Sequence, residues 1–390
     1  MRRVLFFIVV GALLLDIPLF IFIHVSPSML PKYSLVAMVM CAIGCGVARE
    51  AVSARMMILG AGLVLYAAVN VLAVGWSSSA EGASRELLTR VTGLGVLYVA
   101  ALVTSFARRK VSVQALIVPI AVVGAAFLLV DAISGYPWSS APGRAAGSYV
   151  NPNVAAASVM FLGLAGIGGV RAAIRPWFLL LVVAATVLTL SRGGYVAVIA
   201  SVLLLTVGGV VRVRSLARAT AIATVAVAIV LSIGLRTVLA DRPEVELLRA
   251  VGPVAVLRLG AGDAASASER QQVANAATEL FLDHPFHGAG LTATTAWTLP
   301  VSTHNEVLRI AAELGMVGVV TFFVLLTIVF GVGQAHRRPA GPALVCWLVI
   351  LLAVSHNVLE GWSHLASLGV LAGGSQMDVE LATHSEESSS

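Results

Sequence analysis

Apolar segments long enough to cross a lipid bilayer recur through almost the whole chain, and this succession constrains the fold more than any other feature. A membrane-spanning helix needs ~20 mostly apolar residues. Residues are 59% hydrophobic and 11% charged, whereas soluble domains carry roughly a quarter charged residues. The sequence therefore predicts an all-α polytopic membrane protein of about twelve transmembrane helices, near 4–23, 33–48, 56–75, 90–107, 112–134, 153–170, 177–190, 194–211, 219–239, 312–333, 341–358 and 362–374.

Basic residues are unevenly distributed between the two sides of these spans. With the N-terminus inside, the inside loops hold fourteen Lys and Arg residues, and the short outside loops hold five, namely Lys32, Arg85, Arg90, Arg144 and Arg192. Six more belong to the long outside loop, namely Arg236 just before it and five within 240–311, and this loop is too long for the positive-inside rule to count. We therefore predict cytoplasmic termini, a single transmembrane domain over residues 1–374, and a long outside loop, 240–311, with amphipathic helices.

Two other features limit the possible partners and the folded region. The basic residues stand in short clusters between spans rather than in one run, so the net charge of +6 does not indicate a nucleic-acid partner. The tail, residues 375–390, is acidic and Ser-rich with few apolar residues, and we predict that it is disordered. The expected partners are therefore membrane lipids and molecules that reach the outer face.

The stretch "VLTLSRGGYVAVI" (187–199) places a charged residue between two apolar segments. The predicted topology puts Arg192 at the outer end of the seventh span. Gly193 and Gly194 allow a tight turn into the next span and a close approach of another group to the backbone. If Arg192 stood alone, an arginine that reaches for the lipid interface would explain it equally well.

A second arginine lies in the long outside loop. The segment 266–291 predicts a helix that begins with a capping box of Ser266 and Glu269 and ends at Pro285. Arg270 begins the apolar face of this helix, so its side chain is expected to point into the protein; the alternative is a lipid-headgroup contact. The apolar face comprises Val273, Ala274, Ala277 and Phe281, and the polar face comprises Gln271, Gln272, Asn275, Thr278 and Glu279.

A histidine precedes the tenth span. Thr303 and Glu306 predict a second capping box, with His304 at the first position of the helix. Glu306 and Glu313 can pair with Arg309 at helical spacing, so these charges are expected to be structural. A helix N-terminus with nearby arginines favours the neutral imidazole, which can accept a proton. An interfacial histidine without a chemical role is the alternative.

The segment "GSYVNPNVAAAS" (147–158) predicts a further helix start facing outside, with Asn151 and Asn153 around Pro152. Capping explains these residues more readily than anion binding, although a helix N-terminus offers free N–H groups to an anion. Together with two arginines and a neutral histidine, this set suits a diphosphate or a carboxylate and the activation of a hydroxyl. Acidic residues with metal-ligand spacing are not found in the outside loops, so we expect neither a bound metal nor another cofactor.

These motifs resemble the O-antigen ligase and O-antigen polymerase family of bacterial envelope glycosyltransferases. The similar stretches are "LSRGGY" (190–195), "ERQQVANAATELFLDHPFHGAGL" (269–291), "HNEVLRIAAELGMVG" (304–318) and "NPN" (151–153). The resemblance runs from about residue 145 to 335 and includes the layout of twelve spans. Val273 stands where the family has an aromatic residue, which leaves the acceptor contacts open.

The resemblance implies a metal-independent, inverting transferase of the bacterial inner membrane that takes a glycan from undecaprenyl diphosphate. Arg192 and Arg270 would hold the diphosphate, and His304 would orient or deprotonate the acceptor hydroxyl. Substrate contacts are expected as well from Asn151, Asn153, Gly193 and Asn305. The sequence does not separate a ligase, whose acceptor is lipid A-core, from a polymerase, whose acceptor is a second lipid-linked glycan, and ligation to a protein is a further alternative.

A secondary transporter for an anion or small solute is a more distant alternative. Transporter sites usually lie near the middle of the membrane, whereas Arg192, Arg270 and His304 are all predicted at the outer edge. The predicted spans hold few ionisable residues near their centres, namely Asp16 in the first span and Asp131 near the end of the fifth. The sequence therefore favours the transferase.

Overall fold

The computed structural model of the protein describes residues 4, 6–24, 53–108, 112–141, 143–238, 264–295, 305–333, 340–354 and 361–374. Every regular element within these ranges is helical, so the all-α prediction is confirmed for them. The predicted span at 33–48, much of the long loop and the tail at 375–390 lie outside the described residues.

Thirteen helices follow one another in the described ranges. The first, α1, begins with a π-helical turn, Phe6–Gly11, and two short 3-10 turns, Gly147–Tyr149 and Ile167–Gly169, flank the sixth. The helices are α1 (Phe6–Leu14), α2 (Ile17–His24), α3 (Ala54–Val74), α4 (Ala80–Arg108), α5 (Val113–Ile133), α6 (Pro152–Gly166), α7 (Arg175–Leu188), α8 (Arg192–Val207), α9 (Val213–Val238), α10 (Ala264–Asp283), α11 (Glu306–Val332), α12 (Gly341–Val354) and α13 (Trp362–Gly373).

Five of these helices are long and apolar enough to cross a membrane, namely α3, α4, α5, α6 with its 3-10 extension, and α11. The pair α1 and α2 would make a sixth span, although the two helices are bent by 66° relative to each other. Three shorter apolar helices are α7, α8 and α12. The described ranges thus form a multi-pass membrane protein, and the count of twelve spans stays a prediction.

The first predicted span, 4–23, is broken in the structure. Asp16 has a φ of 52°, and its carbonyl oxygen accepts hydrogen bonds from Leu19 and Phe20. Because this backbone conformation cannot continue a right-handed helix, α2 starts in a new direction. The predicted span at 4–23 therefore consists of two helices, bent by 66° relative to each other.

Helix α4 begins ten residues before the predicted span at 90–107. Its first turns are too polar to be recognised by hydropathy, but they are held by charge pairs one turn apart, Arg85–Glu81 at 2.5 Å and Arg90–Glu86 at 2.7 Å. Arg85 and Arg90 therefore lie in a helix and not in a loop, which corrects the loop assignment used for the charge count.

The core is formed by close helix contacts around α4 and α6. A Cβ atom on Gly369 or Gly373 of α13 would lie 2.3 Å from a carbonyl oxygen of α4, so these glycines let the two backbones meet. The indole of Trp347 on α12 donates a hydrogen bond of 2.8 Å to the carbonyl of Ala157 on α6. Buried small residues thus bring together helices that are far apart in sequence.

Candidate functional site

Arg192 is the first residue of α8 and its side chain is exposed. Ser191 caps the helix by accepting a hydrogen bond of 3.3 Å from the N–H of Gly194. The chain turns at Leu190, whose φ is 49°, so the expected glycine turn after Arg192 is wrong. Both glycines instead lie in the first turn of α8, because Ser191 starts the helix before them.

Gly194 has a packing role that the sequence predicted only in general terms. A Cβ atom on Gly194 would lie 3.0 Å from the Cβ of Ala156, in the second turn of α6. This close approach places the start of α8, with Arg192 and Gly193, beside the start of α6. Residues 151–153 and 191–194 therefore form one group, which we call the paired helix starts.

The start of α6 shows the expected capping. Asn151 is the N-cap and its side-chain oxygen accepts a hydrogen bond of 2.9 Å from the N–H of Asn153, and Pro152 is the first helical residue. The side chain of Asn153 is exposed and its oxygen accepts a 2.8 Å hydrogen bond from Nη2 of Arg144. Asn151 has its structural role, and a contact with substrate stays a prediction for both asparagines.

Arg144 is a candidate that the sequence motifs missed. Its Nε donates a 3.0 Å hydrogen bond to the carbonyl of Thr189, and the N–H of Ala145 donates to the carbonyl of Leu188 at 3.0 Å. The guanidinium thus joins the end of α7 to the start of α6. Its sequence signal was a basic residue in a short loop predicted to face outside.

A buried carboxylate holds the loop that carries Arg144. Oδ2 of Asp131 accepts hydrogen bonds from the N–H groups of Ala146 and Gly147 at 2.8 and 2.9 Å, and Oδ1 accepts one from Trp138 at 3.0 Å. Nearby, burial raises the pKa of the Tyr149 hydroxyl above its usual range, so this hydroxyl is neutral at physiological pH. Asp131 therefore serves the loop as an anchor.

The paired helix starts combine several sources of positive potential. Two helix N-termini lie side by side, each with a partial positive charge from its N–H groups. The guanidinium of Arg144 bonds to Asn153 at one of them, and Arg192 is the first residue of the other. Such an arrangement suits an anion with several oxygen atoms, such as a phosphate group.

A second polar group lies at the start of α11. Asn305 is the N-cap, and its side-chain oxygen accepts a 2.9 Å hydrogen bond from the N–H of Leu308. The predicted capping box of Thr303 and Glu306 is therefore wrong, since Asn caps a helix as well as Thr does. His304 lies outside the described residues, one position before the cap and not at the first helical position.

Buried charges surround this helix start. Nη2 of Arg309 lies 2.8 Å from Oε1 of Glu306, which confirms the expected pair. Glu313 pairs with Arg90 on α4, although a local pair with Arg309 was expected. Glu86 on α4 lies 2.7 Å from Nε of Arg90 and 3.7 Å from Nη1 of Arg309, so it connects the two arginines.

The loop helix α10 packs against α11. Val273 and Ala277 are buried and the five residues of the predicted polar face are exposed, which confirms the amphipathic pattern. Ser266 lies inside α10, which begins at Ala264, and so it is not the N-cap. The predicted capping box of Ser266 and Glu269 is therefore wrong. Arg270 lies in α10 with its side chain outside the described residues, and the direction of that side chain stays a prediction.

These features define the class: a helical multi-pass membrane protein with polar side chains gathered at the starts of apolar helices. A protein-family model described as O-antigen ligase matches residues 177–323. The match confirms the resemblance to the O-antigen ligase and polymerase family over that region, which contains Arg192, Arg270, His304 and Asn305. Comparison with curated proteins finds no match.

Proposed function

We propose that the protein is an O-antigen ligase-type glycosyltransferase. It moves a glycan from undecaprenyl diphosphate to a hydroxyl of lipid A-core at the outer face of the bacterial inner membrane, without a metal and with inversion at the anomeric carbon. The observation that carries this proposal is the exposed Arg192 at the paired helix starts, inside the region that matches the O-antigen ligase family. Residues 1–374 act as one transmembrane domain, with cytoplasmic termini and loop 240–311 in the periplasm.

The proposed reaction is a single displacement. The acceptor hydroxyl oxygen forms a bond to the anomeric carbon of the donor sugar, while the bond from that carbon to the diphosphate oxygen breaks. The electron pair of the broken bond leaves with the diphosphate, whose growing charge is stabilised by Arg192 and Arg270. His304 takes the hydroxyl proton.

Four other residues are proposed to contact the substrates. Asn151 and Asn153 lie at the paired helix starts, where the N–H groups of α6 can face the diphosphate. Gly193 leaves the backbone of α8 open to a phosphate oxygen. Asn305 lies next to His304 and would contact the acceptor.

The experiment uses purified protein, undecaprenyl-diphosphate-linked glycan and EDTA, with lipid A-core as acceptor in one reaction and donor alone in another. A single addition of glycan to lipid A-core supports the ligase. A ladder of longer lipid-linked chains from donor alone would identify the polymerase instead, and an intact donor in both reactions would contradict a transferase.

The variant Arg192→Ala tests whether Arg192 takes part in the transfer reaction. We expect it to reduce the rate of transfer by at least ~100-fold, because one charge-stabilising group of the transition state is lost. The control is Arg171→Ala, which also removes an exposed arginine. Arg171 follows the C-terminal end of α6, whereas Asn151 caps its N-terminal end. Equal activity in both variants would remove Arg192 from the mechanism, provided that both reach the membrane.

A further inference from the structure

Helix α11 is broken at Gly315, and another segment of the chain fills the break. Gly315 has φ 64° and ψ −162°, a conformation that interrupts the ladder of helical hydrogen bonds. The N–H groups of Met316 and Val317 donate instead to the carbonyls of Pro285 and Phe286, at 2.8 and 3.2 Å. The segment just after α10 therefore takes the place of a helical turn.

The same segment also satisfies the other side of the break. The N–H groups of Ala289 and Gly290 donate to the carbonyls of Ala312 and Glu313, at 2.8 and 3.0 Å. Four backbone hydrogen bonds thus connect residues 285–290 with residues 312–317, and we call this the α10–α11 junction. A polar backbone within an apolar helix is stable in a membrane when its groups are paired in this way.

Glu313 stands at the centre of the junction. Its carbonyl accepts from Gly290, and its side-chain Oε1 accepts a 2.6 Å hydrogen bond from the hydroxyl of Thr294. Its Oε2 pairs with Arg90 on α4, and both charged side chains are almost fully buried. One residue therefore joins α11, the segment that follows α10, and α4.

Burial of these charges calls for an explanation beyond stability. A buried ion pair contributes little or nothing compared with apolar residues of the same size, and ionisable residues within membrane helices usually serve function. The junction links α10, which carries Arg270, to the first turns of α11, which begin at Asn305. It therefore fixes the two elements on which the proposed site depends.

We propose that Glu313 is a positioning residue of the transfer reaction, which holds α10 and the start of α11 in the reactive arrangement through Thr294 and Arg90. The proposal rests on the proposed function. Glu313 itself contacts neither donor nor acceptor. Its effect is on the rate of the chemical step, because small displacements of catalytic groups slow a reaction even when binding is unaffected.

The test uses Thr294, because truncating Glu313 would remove one of the two carboxylates that pair with the buried Arg90 and endanger folding. Thr294→Val keeps the shape of this fully buried side chain and removes the hydroxyl, while Thr294→Ser keeps the hydroxyl. We expect kcat of Thr294→Val to fall by about 10-fold to 100-fold. The KM for the lipid-linked donor should stay unchanged, and Thr294→Ser should behave as wild type.

Amide hydrogen exchange provides a readout that does not depend on activity. We expect slow exchange at Ala289 and Gly290 in the wild type, faster exchange at both in Thr294→Val, and slow exchange in Thr294→Ser. Arg192→Ala should lose transfer without any change of exchange at the junction. That contrast separates the positioning role from the role of the diphosphate site.

A lower kcat together with faster exchange in Thr294→Val, and neither change in Thr294→Ser, supports the positioning role. A wild-type kcat in Thr294→Val, or a change confined to the donor KM, overturns it and leaves the proposed function in place. If the wild-type protein transfers no glycan at all, the proposed function fails and the positioning role fails with it.

Discussion

The carboxylate of Asp131 shows how much one side chain contributes to the candidate site. It accepts three backbone hydrogen bonds and anchors the loop that presents Arg144 to Asn153. Asp131→Asn would place an NH2 group against N–H donors and leave buried groups without acceptors. We expect a loss of about 2–3 kcal/mol of stability, visible as a lower midpoint in thermal unfolding of the detergent-solubilised protein.

The matched control for this carboxylate is Asp283→Asn, at the exposed end of α10. It makes the same chemical change at the surface, so its unfolding midpoint should equal that of the wild type. If the two variants unfold at the same temperature, Asp131 does not anchor the loop. If Asp131→Asn is stable but inactive, the loop serves the reaction more than the fold.

The N-caps of α6 and α11 show where the start of a helix can be predicted from the local sequence and where it cannot. Asn151 could be predicted as a cap because Pro152 directly follows it and suits the first helical position. The cap of α11 was placed at Thr303, yet the structure uses Asn305. Both residue types can accept the necessary hydrogen bond, so packing of the helix that follows decides between them.

The break in α11 requires a glycine at position 315, so a substitution there should disturb the whole helix. A Cβ atom on Gly315 would lie 2.4 Å from the carbonyl of Phe286, and the φ of 64° disfavours any other residue. We expect Gly315→Ala to destabilise the protein by more than about 3 kcal/mol. Thermal unfolding measures the effect, together with faster amide exchange at Met316 and Val317 as the junction opens.

Gly331 in the same helix is the natural control. A Cβ atom there would have no neighbour within 4 Å, and alanine favours a helix over glycine by about 1 kcal/mol. Gly331→Ala should therefore keep the unfolding temperature or raise it. Equal destabilisation by both substitutions would mean that α11 tolerates no added methyl group, and the junction would lose its special role.

Whole elements were predictable where their signal is local. The amphipathic pattern of α10 and its end before Pro285 can be read from the spacing of apolar residues and from the missing N–H of proline. The early start of α4 and the pairing of Glu313 could not be predicted. Arg90 and Glu313 are 223 positions apart in sequence, and they become partners only in the folded chain, where α3 and α13 each pack against both α4 and α11.

For the molecule as a whole, hydropathy predicts which segments are apolar but not whether the helices that they form are straight, bent or broken. The described helices lie close to eleven of the predicted segments, yet two of them are bent or broken, at Asp16 and at Gly315. Each break relies on hydrogen bonds whose geometry hydropathy does not encode. The side of the membrane on which each loop lies rests on the distribution of basic residues alone.

That topology leads to the last prediction, made with single cysteines in a protein whose Cys41, Cys45 and Cys346 are replaced by alanine. Gln271→Cys lies on the exposed face of α10, and Ser215→Cys is exposed near the start of α9. We expect a membrane-impermeant maleimide to label residue 271 in intact spheroplasts and residue 215 only after permeabilisation. The positive-inside rule requires this result, because Arg212, Arg214 and Arg218 surround Ser215.

The opposite labelling pattern would place α10 and Arg270 in the cytoplasm. A glycan on undecaprenyl diphosphate at the periplasmic face would then be out of reach, and the proposed transfer would be excluded at that face. Retained activity of both cysteine variants in the ligase assay is the control for a native fold. With that control, the labelling pattern decides the side of the membrane on which the chemistry takes place.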